Sequence, residues 1–466
     1  MSSNQKGTAK PYVKFISGSA TGVTGSAHLV RFKNYGILLD CGLEQGHDIM
    51  TDYQANKDFL HKIRVKDIQY IILSHCHVDH SGLIPALFAK GCQAHVYVPT
   101  GSTPLLRLLW ADSLKIHQSD CLKLQKKHGR KFAPFFTEDD IDTTLGRCIE
   151  IGFNEETALN QDVKFEYLSA GHIIYSAQIY LELYQGYQIY RVGYTGDVGG
   201  FTPRPFVLSR RSMPFCNLMI GECTYNVPTR PNNAKDRSKD VEKIATVVQE
   251  SSKILFPSFS LQRTQELLQV LYAMWKDGML DSSIKIYLDS PLASRINEVW
   301  PETTVWKTIK NWGNLHIVQD SENSHALQTS SQHCIIISAS GFLNGGRILG
   351  HLTTALSDPK ATVMFIGYAG ENNLASKIKA NELVVEINGV LVENKAKIVE
   401  LRSFSSHASY EELMDYYTEI HYNKICLVHG EMNGKVEFAK ALKDKLASNG
   451  KSARVIAVNA DTKIYI

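Results

Sequence analysis

The sequence predicts an α/β protein: a sandwich of sheets flanked by helices, interrupted by a second α/β domain built on a mainly parallel sheet. Three observations predict it. Short β-branched runs separated by Gly and Ser breaks fill roughly the first 200 residues; strand and helix alternate from about 205 to 395; and an apolar strand ending in a polar side chain returns in KICLVHGE near the end.

The first segment reads as VKFISGSATGVTGSAHLVRF, YGILLDCG, DIQYIILSHCH and QAHVYVP, with a helix from Pro104 to His117. The second pairs KILFPSF with LQRTQELLQVLYAMW, IKIYLD with SPLASRINEVW, CIIISAS with GGRILGHLTTAL and TVMFIGY with NNLASKIKA. Four such pairs predict a parallel sheet with crossover helices, a geometry that places ligands beyond the carboxyl ends of the strands. LVVEINGVLVE carries Asn388 and Gly389 between alternating apolar residues, which predicts a hairpin. The expected division is 1–205, an inserted domain at 206–395, and a closing part at 396–466. RPNNAKDRSKD, 230–240, is polar enough for an exposed loop.

At 466 residues, 44% hydrophobic and 21% charged, the chain is expected to bury two or three domain cores and is not disordered by composition. MSSNQKGTAK lacks the apolar centre of a secretory signal, and no run approaches the roughly 18 apolar residues that span a bilayer. No membrane association and a cytoplasmic location are expected. Nine cysteines without any Cys-x-x-Cys fit a reducing compartment. A net charge of +3 is far from the basic balance of a dedicated nucleic-acid-binding module. Local charge differs: LKLQKKHGRK, 122–131, holds five Lys or Arg and no acid, which fits a solvated helix face at least as well as a phosphate contact.

The stretch SHCHVDH sets His75, His77, Asp79 and His80 directly after the apolar Tyr70–Leu73 run. In an extended loop, alternate residues point the same way, so His75 and His77 can face one ion while Asp79 and His80 turn toward a second. Such a loop completes neither shell. Further ligand types stand just after other apolar strands: Asp40, His172, Asp197, Glu222, His407 and His429. One His or Asp at a strand end is usually a hydrogen-bonded cap; six together, among glycines, favour a site. Arg263, Arg347 and Lys377 each open or line a helix after a strand, where anions are favoured, and are candidates for substrate phosphate against the alternative of ordinary helix-surface charge.

These motifs resemble the metallo-β-lactamase fold in its β-CASP branch, the nucleic-acid-processing nucleases that include RNase J and the cleavage and polyadenylation endonuclease. Asp40, SHCHVDH, His172 and Asp197 match the lactamase motifs in order, and Glu222, His407 and His429 match those of the β-CASP branch. TGVTGSAHLV, QRTQELL, YLDSPLA, SGFLNGGR and SSHAS add support, so the resemblance runs from about Lys14 to Ile466. It implies an αββα sandwich with an inserted β-CASP domain. It implies two zinc ions, with manganese as the alternative: His75, His77 and His172 on one, Asp79, His80 and His429 on the other, Asp197 between them and Asp40 behind the ligand loop. A hydroxide activated by both ions would hydrolyse RNA phosphodiester bonds, leaving 5′-phosphate and 3′-hydroxyl ends. His407 would be the general acid, Glu222 would orient it, and Asp79 is a second acceptor for the proton of the attacking water.

The chain departs from the family pattern at Cys76, between the first two ligand histidines, at GECTY around Glu222, and at YAGENNLASK, 368–377. Cys76 is expected to pack rather than ligate. Lactam and thioester hydrolases of the fold lack the insertion. A non-catalytic RNA-binding scaffold would have lost ligands, and DNA-processing members usually carry valine where His429 stands. The expectation is an endoribonuclease acting on single-stranded RNA, because the chain stops at Ile466 without the further domain usual in RNase J exonucleases. A 5′ exonuclease, a DNA nuclease and a homodimer remain as alternatives.

Overall fold

The computed structural model describes residues 10–228, 237–366 and 373–466, and the chain forms two compact units, 1–232 with 406–466 and 233–405. The first unit holds two seven-stranded sheets. One runs Lys463–Tyr465, Tyr12–Phe15, His28–Phe32, Tyr35–Leu39, Tyr70–Ile72, His95–Pro99 and Cys148–Ile151, antiparallel through Tyr35–Leu39 and parallel beyond it. The other runs Arg454–Ala457, Tyr422–Val428, Cys216–Glu222, Gln188–Tyr194, Ala177–Gln185, Val163–Ser169 and Thr157–Asn160.

Alternation along the strands points one face of each sheet at the other. Val30, Ile37 and Ile72 meet Phe165, Ile179 and Val192 in a core shared by both sheets. Helices cover the outer faces. Leu413, Tyr417, Phe438 and Leu442, from Tyr410–Glu419 and Met432–Ser448, bury Met219 and Ile425 of the second sheet. The result is the expected αββα sandwich.

The second unit is built on six parallel strands in the order Leu315–Ile317, Lys285–Asp289, Cys334–Ser338, Lys253–Pro257, Ala361–Phe365 and Lys397–Glu400. Three of these strands lie buried on both faces, the reason their sequences read as continuous apolar runs. Val384–Ile387 and Val390–Glu393 form the expected hairpin, with Asn388 and Gly389 at φ of 52° and 82° in its turn.

The unit boundaries differ from those read in the sequence, 205 and 395. Cys216–Glu222 pairs with Gln188–Tyr194 and Tyr422–Val428 in the sandwich, and Lys397–Glu400 pairs with Ala361–Phe365 in the parallel sheet. Parallel pairing leaves no local turn to mark which sheet a strand joins. The polar loop expected at 230–240 falls outside the described residues up to 236, as do 368–372 of YAGENNLASK. Among the described residues no helix is long and apolar enough to cross a membrane.

The helix expected to end at His117 continues to His128, spanning Ser102–His128, where Gly129 at φ 65° closes it in the left-handed conformation. Trp110, fully buried, ties this helix to the sandwich by donating from Nε1 to Ser81 O at 3.0 Å. Ser81 ends the short helix Val78–Ser81, which carries Asp79 and His80. Trp110→Ala is expected to cost about 3–5 kcal/mol in the urea transition that reports on the first unit, whereas a loss below about 1 kcal/mol would show that the contact is dispensable.

Candidate metal centre

Strand Tyr70–Ile72 ends by handing Leu73 N to Tyr97 O, and the chain then leaves the sheet through Ser74 to His80. His77 sits at the N-cap of Val78–Ser81, so the backbone turns sharply between it and Asp79. That turn separates the two ligand pairs. Gly42 permits it: a Cβ there would lie 1.6 Å from Asp79 O.

His75 Nε2 and His77 Nδ1 face each other at 3.1 Å, and His172 Nε2 stands 3.4 Å from His77 Nδ1. Asp197 Oδ2 completes this group, 3.7 Å from both His75 Nε2 and His172 Nε2. Its other oxygen, Oδ1, lies 3.2 Å from His80 Nε2, and Asp79 Oδ2 lies 3.8 Å from the same nitrogen and 3.4 Å from His429 Nε2. In each set the ligand atoms lie within 4.8 Å of one another, and Asp197 belongs to both. All seven expected metal ligands are therefore brought together.

Strand ends deliver the distant members. Asp197 follows Gln188–Tyr194 through Gly196, at φ 52° and against Ser74. His429, itself at φ 52°, follows Tyr422–Val428 and donates its backbone N–H to Ser19 O at 2.7 Å. His172 N donates to Ser176 Oγ at 3.1 Å, which pins the loop after Val163–Ser169.

Behind the ligands, the carboxylate of Asp40 is fully buried and accepts from Ser74 N (2.7 Å), Ser74 Oγ (2.7 Å), His80 Nδ1 (2.6 Å) and Tyr194 OH (2.7 Å). A carboxylate only accepts, so His80 Nδ1 carries a proton and Nε2 is the ring atom turned toward Asp197.

The donor set suits divalent cations with borderline character such as zinc. Burial holds the imidazoles of His75 and His172 well below the usual range and that of His77 at about 4, so all three stay neutral and keep a lone pair. Burial pushes the Asp197 and Asp79 carboxyls up, but His429 and His80 outweigh it and hold both well below the ordinary range, so both are anionic. His80 Nε2 and Asp197 Oδ1 are buried without a well-formed hydrogen bond, a costly arrangement that a shared cation relieves.

A third group adjoins the second. His407 Nε2 lies 4.0 Å from Asp197 Oδ2, and its Nδ1 donates to Glu222 Oε1 at 3.2 Å. Glu222 is fully buried and also accepts from Val198 N at 3.0 Å and Thr224 N at 2.9 Å, so protein donors engage both of its oxygens.

Cys76 is buried with its thiol directed at Ser102 O, 3.8 Å away, and burial pushes it up to about 12. It packs, as expected. The phosphate candidates lie in the second unit. Arg347 gives Nη1 to Asp289 Oδ1 at 2.7 Å and Val318 O at 3.1 Å and Nη2 to Gln319 O at 3.2 Å, so its guanidinium serves the fold instead of facing solvent as a phosphate contact would. Arg263 is only 7% exposed, and Lys377 is exposed on Leu374–Lys379. Sequence reasoning missed Tyr194 and Thr224, whose hydroxyls reach Asp40 and His429 Nδ1 (2.9 Å); neither carries a local signal.

Family models match in three consecutive stretches: the metallo-beta-lactamase superfamily over 20–177, the Beta-Casp domain over 264–378, and a Zn-dependent metallo-hydrolase RNA specificity domain over 392–455. Ribonuclease TTHA0252 of Thermus thermophilus is 31% identical over 439 residues, 91% of this chain and 94% of the relative. The chain belongs to the β-CASP branch of the metallo-β-lactamase superfamily. Other relatives include an RNase J-like protein of Methanocaldococcus jannaschii, 26% identical with 87% of this chain and 89% of the relative covered. The transcription termination factor FttA of the same organism is 26% identical with 92% of this chain and 68% of the factor covered. A crystal structure of a protein of unknown function from Enterococcus faecalis V583 shares the fold at a TM-score of 0.56 and 15% identity, covering 98% of this chain and all of that one.

Asp40→Ala is expected to weaken divalent metal binding about 10- to 100-fold, because His80 loses the acceptor that orients it. Competition titration with a chromogenic zinc chelator measures this; an unchanged affinity would show that Asp40 supports the fold alone.

Proposed function

We propose that the protein is a metal-dependent ribonuclease that cuts single-stranded RNA endonucleolytically, leaving 5′-phosphate and 3′-hydroxyl ends. The observation that carries this reading is the sharing of Asp197 between two ligand sets, with His407 held 4.0 Å from it by Glu222. Such an arrangement supports in-line displacement at phosphorus. The names of Ribonuclease TTHA0252 and the RNase J-like protein support RNA as the substrate.

In this reading His75, His77 and His172 would hold one zinc ion and Asp79, His80 and His429 a second, Asp197 would serve both, and manganese is the alternative metal. When bound, the ions lower the pKa of water and offset phosphate charge. The chain's own groups do the rest. Asp40 fixes the orientation of His80. Glu222 holds the His407 ring so that Nε2 faces the reacting centre, and His407 gives a proton from Nε2 to the O3′ atom as the P–O3′ bond breaks. Asp79, with 17% of its side chain exposed, is open to accept the proton of the attacking water.

His407→Ala is expected to keep both metals and to lose about 10²- to 10⁴-fold in cleavage rate, as general-acid removal does. The assay uses RNA labelled at its 5′ end beside DNA of the same sequence. Internal RNA fragments with intact DNA are the expected products. Early release of labelled mononucleotide would replace the endonuclease reading with a 5′ exonuclease, and no cleavage by the metal-loaded protein would overturn catalysis and leave an RNA-binding scaffold.

A further inference from the structure

The basic stretch flagged in the sequence ends the long helix Ser102–His128. Lys126, Lys127 and His128 form its last turn, Gly129 caps it, and Arg130 and Lys131 follow beyond the cap, all exposed. No acid occurs between Asp120 and Glu138, and Asp120 is taken by Lys123 at 2.8 Å. Among the described residues none of Lys126, Lys127, Arg130 and Lys131 has an ion-pair partner.

Cations in a last helical turn complement the helix dipole, which accounts for Lys126, Lys127 and His128. It does not account for Arg130 and Lys131, nor for what lies beside them. Tyr53, on helix Ile49–Lys62, stacks on Phe135 with ring centroids 5.0 Å apart and planes 27° from parallel, and His117 packs against Phe135 at 4.4 Å. Arg130 lies over the Phe132 ring at 4.9 Å. Burial lowers His117 to about 4, so it contributes an uncharged ring. Tyr53 and Phe135 remain half-buried rather than covered. Unneutralised cations next to half-buried aromatic rings are a combination that binds single-stranded nucleic acid: phosphates on the cations, bases against the rings. An acidic protein surface would use the charges but not the rings.

The patch and the metal site lie in the same unit and are linked through its fold. Leu43 N donates to Val78 O at 2.8 Å beside Asp79, and Glu44 exchanges hydrogen bonds with the Asn56 side chain at 2.8 and 2.7 Å, one turn of helix from Tyr53.

We propose that the turn Lys126 to Lys131, with Tyr53 and Phe135, is a second contact for single-stranded RNA, which holds the part of the strand flanking the bond cut at the metal site. The proposal rests on the ribonuclease reading for its substrate. The test measures binding of a long, unstructured, fluorescently labelled RNA to the full chain with chelator present, so that nothing is cut, across a salt series. Replacing Lys126, Lys127, Arg130 and Lys131 together by Ala is expected to lower affinity at least about tenfold and to flatten the log–log salt slope by about 2 to 3, at about 0.7 per phosphate contact on a single strand. Phe135→Ala is expected to lose about fivefold with the slope unchanged, as removal of one stacked base would. Cleavage of a short oligonucleotide by the metal-loaded quadruple variant at the wild-type rate would show that the variant is folded and that the contact lies outside the catalytic centre. Unchanged affinity and slope for the long RNA would overturn the proposal, as would loss of binding to polyglutamate with RNA binding intact, which assigns the surface to an acidic protein. Wild-type protein that binds RNA through the patch but cuts none would sink the nuclease reading and leave the contact standing.

Discussion

The buried carboxylate of Asp40 is the constraint on which the site depends. It ends strand Tyr35–Leu39 of one sheet, accepts from Ser74 and His80 on the ligand loop, and accepts from Tyr194 at the end of a strand of the other sheet. A carboxylate at 0% exposure is tolerated only where donors replace water, and these donors come from the segments that must converge for a metal site to exist. Closing the sandwich and orienting His80 are thus one event. Asp197 and His429, at the ends of two strands that flank Cys216–Glu222, then complete the second ligand set around a nitrogen whose direction is already fixed.

The sequence made the ligands legible because a metal site concentrates rare residue types. His75, His77, Asp79 and His80 stand within six positions, and the remaining ligands each stop an apolar run. What supports them is spread too widely to read: Tyr194 lies 154 positions from Asp40, and Thr224 lies 205 from His429. Neither pairing has a periodicity or a motif. The two-domain architecture was legible from the change of rhythm, but strand Cys216–Glu222 was not assignable, since an apolar strand followed by a helix looks the same in either sheet. The helix runs on past the expected His117 to His128 through turns that are mostly polar and exposed, where no apolar stripe marks it in the sequence.

Arg347 shows the converse limit. Its place after a strand, opening a helix, fits an anion contact, yet Asp289, buried at the end of Lys285–Asp289, receives Arg347 together with His351 Nε2 at 2.6 Å and Ser324 Oγ at 2.6 Å. A buried carboxylate in the second unit gathers donors as Asp40 does in the first. Here its effect is to tie helices to the parallel sheet, and the charge that sequence position suggested for a ligand is neutralised within the fold. Basic residues that stay unpaired, such as those after Gln125, are a better guide to a polyanion than basic residues counted along the chain.

One carboxylate, Asp197, belongs to two ligand sets in a single chain. The direct measurement is the zinc content of the intact protein after equilibrium dialysis, by elemental mass spectrometry against protein concentration. Two ions per chain are predicted; a saturating stoichiometry of one, or none, would contradict a carboxylate shared by two metals.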